Sequence, residues 1–211
     1  MLRDTVARND QSLLHGTGDK TIDALLKAMI AVDPDETHWP SRRVRLEHGD
    51  GLLFDLIPTA RKLGVIVVQN PTHFDPAMNP VIARFGPMSP YCPLRTLLAS
   101  GIPLAIGSDG PMSPGLNIMF AITHPLSPSE AITPQQAVIA YTRGSAYAEF
   151  AEKEKGTLAT GKLADLAVLS QDIFKVPPRD LPNTSSVLTL VDGKIIYDAR
   201  VLGRRRATKT P

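Results

Sequence analysis

"VIVVQN", residues 65–70, decides the fold. Four β-branched apolar residues stand in a row between Gly64 and the polar pair before Pro71. A half-exposed strand would alternate apolar with polar residues. An unbroken run predicts a strand buried on both faces, as in a parallel sheet covered by helices. Upstream, "RVRLEH" (43–48) alternates Val44 and Leu46 with charged neighbours, then breaks at Gly49-Asp50-Gly51. A helix over about residues 54–63, stopped by Gly64, separates the two runs and supplies the crossover that parallel strands require.

The same alternation extends in both directions. "SLLH" (12–15) is a short strand, followed by a helix that Asp19 can cap and that carries Ile22, Leu25, Leu26 and Met29 at helical spacing. "PLRTLLAS" (93–100) predicts a short helix before Gly101. "PLAIGSDG" (103–110) is a second buried strand ending in Ser108-Asp109-Gly110-Pro111. Residues 71–92, dense in Pro, Gly and Met, predict a long loop. Thr133-Pro134-Gln135-Gln136 supplies an N-cap, a proline at the first helical position and a capping-box glutamine, opening a helix to about Phe150. Beyond residue 155 the rhythm changes. "DLAVL" (165–169) and "VLTLVDGKIIYDA" (187–199), with Asp192-Gly193 at the turn, predict short antiparallel strands. The expected fold class is therefore α/β: a partial (β/α) barrel over residues 1–155, a β-sandwich segment over 156–203, and a basic, solvated tail over 204–211.

Composition narrows the function classes. The chain has 211 residues, 43% hydrophobic and 21% charged, with a formal net charge of +2. That balance is too near neutral to point to nucleic acid or an anionic membrane as partner. The single cysteine, Cys92, rules out an internal disulfide framework and fits a reducing compartment. No leader pattern and no membrane-spanning run is visible, so a cytoplasmic location is expected.

Chemistry concentrates at strand ends. His15, His48 and Asp109 each directly follow an apolar strand, and His73 lies just past "VIVVQN". In a barrel of parallel strands all such ends meet at one face, where active sites are built. Strands about 4.8 Å apart could let two imidazoles share a metal ion, and a carboxylate beside it could move a proton from water to a leaving group. Taken singly, a histidine at a strand end is more often a hydrogen-bonded loop residue, and "SDGP" is an ordinary turn. His73 either orients substrate or caps the loop beside Gln69 and Asn70. His38 and His124 lie in Pro-rich loops and are expected to be solvated. Cys92, before Pro93 and without a basic neighbour, is a poor nucleophile candidate. "HGTGDK" lacks the third glycine of a dinucleotide loop and the ending of a P-loop.

Together, "HGTGDKTIDALLKAM", "RVRLEHGDGL", "GVIVVQNPTHF", "GIPLAIGSDGP" and the closing "GTLATGKLADLAVLSQD…VDGKIIYD" resemble the C-terminal half of amidohydrolase-superfamily enzymes, in particular N-substituted formamide deformylase-like amidohydrolases. The resemblance runs from about residue 12 to 199. It implies His15 and His48 as metal ligands after the fifth and sixth barrel strands. Asp109, after the eighth, would contact metal and act as catalytic proton shuttle. His73 would face the substrate pocket, with Gln69 beside it. The cofactor implied is a divalent metal, foremost Zn²⁺, and the substrate a small-molecule amide with a non-peptide C–N bond. Family members also carry a His-x-His pair after the first barrel strand, which this sequence lacks along with the first four strand–helix units. Met1 falls in the helix before the fifth strand. The expectation is a fragment, a half completed by a separately encoded N-terminal part, or a self-associating half-barrel. The alternative to an enzyme is a catalytically inactive assembly partner.

Overall fold

The apolar run around Val67 forms the third strand of a parallel sheet whose neighbours fall in sequence order. A computed structural model describes residues 2–75, 77 and 92–202 of the chain. Within them β1 (Leu13–Gly16), β2 (Arg45–His48), β3 (Ile66–Gln69) and β4 (Leu104–Ile106) pair in parallel in the order β1-β2-β3-β4. The register sets Gly16 beside His48, Glu47 beside Val68 and Gln69 beside Ile106, so the carboxyl ends of the strands share one rim. Every residue of β3 and β4 is buried, as the unbroken apolar runs require, whereas β1 and β2 bury alternate residues.

Helices fill the connections. α1 (Leu2–Arg8) precedes β1, and α2 (Asp19–Val32) joins β1 to β2 while burying Ile22, Leu26 and Met29. The N-cap of α2 is Gly18, with no side-chain cap. Asp19, expected as the cap, is the first helical residue instead, where its charge still favours the helix dipole. α3 (Trp39–Arg42) and α4 (Ile57–Lys62) stand before β2 and β3, and α5 (Leu94–Ala99) before β4. α6 (Pro114–Thr123) occupies a stretch for which the sequence predicts a loop. Its residues are nearly all apolar, so no polar face marks a helical period, although Ser113 caps it by accepting from the Leu116 amide at 3.3 Å.

The capping box at Thr133 and Gln136 is formed, opening α7 (Pro134–Ile139). The helix does not run on evenly to Phe150. A π-helical turn at Ala140–Gly144 intervenes before α8 (Ser145–Ala148). There the helix lies against β4: a Cβ on Gly144 would sit 2.3 Å from the Leu104 carbonyl oxygen. Tyr147 and Ala148 then pack on Ile66, Val68 and Ala105, the sheet face turned away from the main core.

The C-terminal strands β5 (Leu166–Leu169), β6 (Ser186–Val191) and β7 (Lys194–Asp198) form an antiparallel sheet in sequence order. Asp192 and Gly193 both adopt positive φ, 51° and 71°, as the tight hairpin demands. All of β7 is exposed, including Ile195, Ile196 and Tyr197. Residues 204–211, and most of the loop expected after residue 75, lie outside the described residues. Among the described residues no helix is long and apolar enough to cross a membrane.

Arg43 fastens the foot of the parallel sheet to the end of the last helix. Its guanidinium forms a two-pronged bond with Glu152, at 2.9 and 2.7 Å, donates to the Tyr147 carbonyl at 2.8 Å, and lies over the Tyr147 and Phe150 rings. This bond holds the Glu152 carboxyl well down, at about 2. A depressed folded-state value gives stabilisation that is complete above the ordinary value of 4.5 and is lost as pH falls toward 2. The carboxylate is 26% exposed, so the pair contributes about 1 kcal/mol after screening. Glu152→Gln is therefore expected to cost about that much at pH 7. Urea melts at pH 7 and pH 3 should show the gap closing with acid, and a gap independent of pH would refute the assignment.

Candidate metal centre

The rim of the sheet gathers three of the residues singled out in the sequence. β2 ends on His48, whose φ of 69° and that of Gly49, 66°, turn the chain sharply off the sheet. Histidine tolerates this left-handed backbone better than most side chains, but such residues persist where surrounding contacts hold them. Here the contacts come from the end of β3. The Gln69 side-chain amide donates to the His48 carbonyl, and the Asn70 amide meets His48 Nδ1 at 3.2 Å.

Beyond β3 a 3₁₀ turn, Pro71–Phe74, buries Thr72 and Phe74 and leaves His73 half-buried at the rim. Asp109 stands in the loop after β4, at φ 45°. Its Oδ2 lies 3.7 Å from His48 Nε2 and 3.7 Å from His73 Nε2. One ligand atom from each of His48, His73 and Asp109 falls within 4.8 Å of the others. The histidine rings are stacked, 5.4 Å between centroids.

Two loops must keep their places for this cluster to exist, and one threonine ties them. Thr72 Oγ1 lies 3.2 Å from the carbonyl oxygens of both Ser108 and Gly110, which flank Asp109. The Thr72 amide donates to Asn117 Oδ1 at 3.2 Å, while Asn117 Nδ2 donates to Ser108 Oγ and to the Ser113 carbonyl. Thr72 and Asn117 are both fully buried. The sequence alone marks neither. Asn117 sits in the helix that lacked a recognisable period, and only the Thr-His pair inside "QNPTHF" hinted at Thr72.

The other expected site residues fall as follows. His15 is exposed at the end of β1, edge-on to His48 with 4.4 Å between ring centroids, and lies outside the three-residue cluster. Within the cluster the second imidazole beside His48 is that of His73. Gln69 is fully buried and reaches the rim through the His48 backbone. His124, expected in solvent, is instead fully buried at the end of α6. It stacks on Phe74 at 4.3 Å, accepts from the Ser127 amide at Nδ1, and donates from Nε2 to the Cys92 carbonyl. Cys92 is buried too, its thiol donating to Asp50 Oδ1 at 3.1 Å. His38 is exposed as expected, bonded to Asp33 and close to Asp35.

The donor set fits a divalent ion. Burial is the largest influence on His48 and pushes its imidazole toward the neutral form, the form that binds metal. Two imidazoles and a carboxylate, with the Asp109 side chain 60% exposed, form a three-ligand donor set for a divalent ion with an open position.

Residues 5–197 match the amidohydrolase family. The chain is 31% identical to YtcJ of Bacillus subtilis (strain 168), described as a candidate amidohydrolase, over 94% of this chain and 39% of that one. It is 28% identical to the N-substituted formamide deformylase of Arthrobacter pascens, over 88% of this chain and 36% of that one. Among solved structures, a zinc-bound adenosine deaminase from Xanthomonas campestris superposes with a TM-score of 0.68 at 19% identity, over 93% of this chain and 47% of that one, a likeness of fold. The chain thus spans well under half the length of the relatives it matches. With the match running through the parallel sheet, its rim and the antiparallel strands, the chain belongs to the amidohydrolase family.

Proposed function

We propose that this chain carries the C-terminal part of a metal-dependent hydrolase that cleaves carbon–nitrogen bonds of small non-peptide amides. The observation that carries the reading is the convergence of His48, His73 and Asp109 at one sheet rim in a chain of the amidohydrolase family. On this reading the four parallel strands are one side of a (β/α) barrel, spanning residues 1–155, and the antiparallel strands belong to a small β-sandwich over 156–203. The remaining strands would come from a longer product, a separately encoded partner or a second copy.

His48 and His73 would hold the ion, foremost Zn²⁺, with Asp109 completing the set and His15 beside His48 available as a further donor. When bound, zinc polarises an amide carbonyl and lowers the pKa of water toward about 7. The chain's own contribution is proton handling. Asp109, more exposed than its histidine partners, accepts a proton from water on the open side and delivers it to the departing nitrogen. Thr72 holds the backbone on either side of that carboxylate, so its distance to both imidazoles is fixed before substrate arrives. His15 lines the same edge and can orient the amide.

Full exposure of the apolar strand β7 favours a second reading, in which the chain serves as an assembly partner. One experiment separates them. Protein stripped with a chelator and reloaded with zinc is expected to bind one ion per chain and to release formate from N-substituted formamides, the substrates named for the Arthrobacter relative. Reloaded protein that takes up no zinc would overturn the metal-site reading. Zinc-loaded protein inert toward a broad amide panel would leave assembly as its role.

A further inference from the structure

Asn70 is the side-chain amide within hydrogen-bond reach of the His48 ring, and its chemistry has two faces. The residue is 5% exposed and His48 6%, so the contact is shielded from water. Asn70 Nδ2 lies 3.2 Å from His48 Nδ1. Its amide fills the space that Gly107 leaves open, since a Cβ there would fall 2.6 Å from Asn70 Oδ1. Any larger residue at 107 would push the amide away.

An amide NH₂ can only donate, so His48 Nδ1 accepts. A neutral imidazole carries one proton, which then resides on Nε2, the nitrogen 3.7 Å from Asp109 Oδ2. In that tautomer Nε2 is a donor facing a carboxylate and has no lone pair for a cation. A half-turn of the Asn70 amide exchanges nitrogen for oxygen with almost no change of shape. The carbonyl then accepts from Nδ1–H, and the Nε2 lone pair is free. Resting on the metal-site reading above, we propose that Asn70 is a positioning residue that switches His48 between two tautomers: its NH₂ stabilises the ion-free rim and its carbonyl the ion-bound one. Asparagine serves both states, because the protein needs to be stable before an ion arrives and must still release the lone pair when it does. Aspartate would serve only the second, and alanine neither.

The test reads tautomers before affinities. In ¹⁵N-edited spectra of metal-free full-length chain at pH 8, His48 is expected as the Nε2–H tautomer, and one equivalent of Zn²⁺ should convert it to Nδ1–H. Asn70→Asp should show Nδ1–H without zinc and bind zinc about tenfold more tightly, whereas Asn70→Ala should bind about tenfold more weakly, in the range that outer partners of ligand histidines command. Metal-free wild type already in the Nδ1–H form, or Asn70→Asp left in the Nε2–H form, would overturn the proposal. The wild-type spectrum decides the matter even where a variant does not fold. Should wild type bind no zinc, the metal-site reading fails, while the metal-free tautomers of wild type and Asn70→Asp still decide whether Asn70 governs the ring.

Discussion

His48→Ala is expected to abolish stoichiometric zinc uptake, lowering affinity by more than the 10–100-fold that accompanies loss of an outer partner. The size of the effect follows from position. His48 is the one member of the rim that touches all the others: it stacks on His73, meets His15 edge-on, and faces Asp109 at 3.7 Å. Its removal leaves one imidazole and one carboxylate near one another, with His15 no longer bridged to them. Folding should change less than binding, although alanine bears the left-handed backbone at this position less readily than histidine. His38→Ala is the matching control: that imidazole is exposed, bonded to the nearby carboxylates of Asp33 and Asp35, and its loss should leave zinc content unchanged. Elemental analysis of the two purified variants, beside wild type, checks both statements. Equal zinc in wild type and His48→Ala would refute the ligand assignment.

The largest expected loss of stability is at Trp39. This indole is fully buried against the core, donates from Nε1 to the Asp33 carbonyl at 3.0 Å, and has the Arg42 guanidinium 5.8 Å above its ring. Trp39→Ala deletes the largest side chain of the core and strands the Asp33 carbonyl, at a cost of about 3–5 kcal/mol. Domains are stable by only about 5–15 kcal/mol, so the variant should lose a large share of its margin and unfold at a much lower urea concentration. Trp39→Phe keeps most of the apolar volume and loses the hydrogen bond, for about 1 kcal/mol. Urea midpoints for the three proteins should fall in that order, and an alanine variant within 1 kcal/mol of wild type would show that the site collapses around the gap.

Most of the architecture could be read from apolar period alone. Unbroken runs at Val65–Val68 and Leu104–Ile106 marked buried parallel strands, and the Thr133 capping box announced its helix to the residue. What escaped was information that no local pattern carries. α6 has no polar face to give it a period. The π-helical turn before Ser145 reflects close packing of Gly144 on β4, a tertiary demand. His124 gave no sign of burial, because its partners Phe74 and Cys92 come from the connection between β3 and α5, distant from it in sequence.

At the site, His48 and Asp109 were legible because strand ends are where such residues collect. The grouping was less so. The turn at Pro71, expected to aim His73 at substrate, carries it to within 3.7 Å of Asp109, and His15 meets His48 edge-on outside the three-residue cluster. Thr72, Asn117 and Asn70 act by holding other residues, and a supporting role of this kind is set by distances that only the folded chain defines.

The long-range ties at the foot of the sheet also bear on how the chain is made. Gln11, at the entrance to β1, donates to the Arg43 carbonyl and to the Ala148 carbonyl, the second lying 137 residues later. Arg43 in turn awaits Glu152, 109 residues downstream. At a synthesis rate of about 5–20 residues per second, Gln11 emerges roughly 7–30 seconds before the carbonyl it needs. Throughout that interval the nascent sheet lacks Tyr147 and Ala148, which cover Ile66, Val68 and Ala105. The ribosome-bound chain should therefore stay open to chaperones and proteases until residues 140–152 arrive, and the sheet locks only once they do.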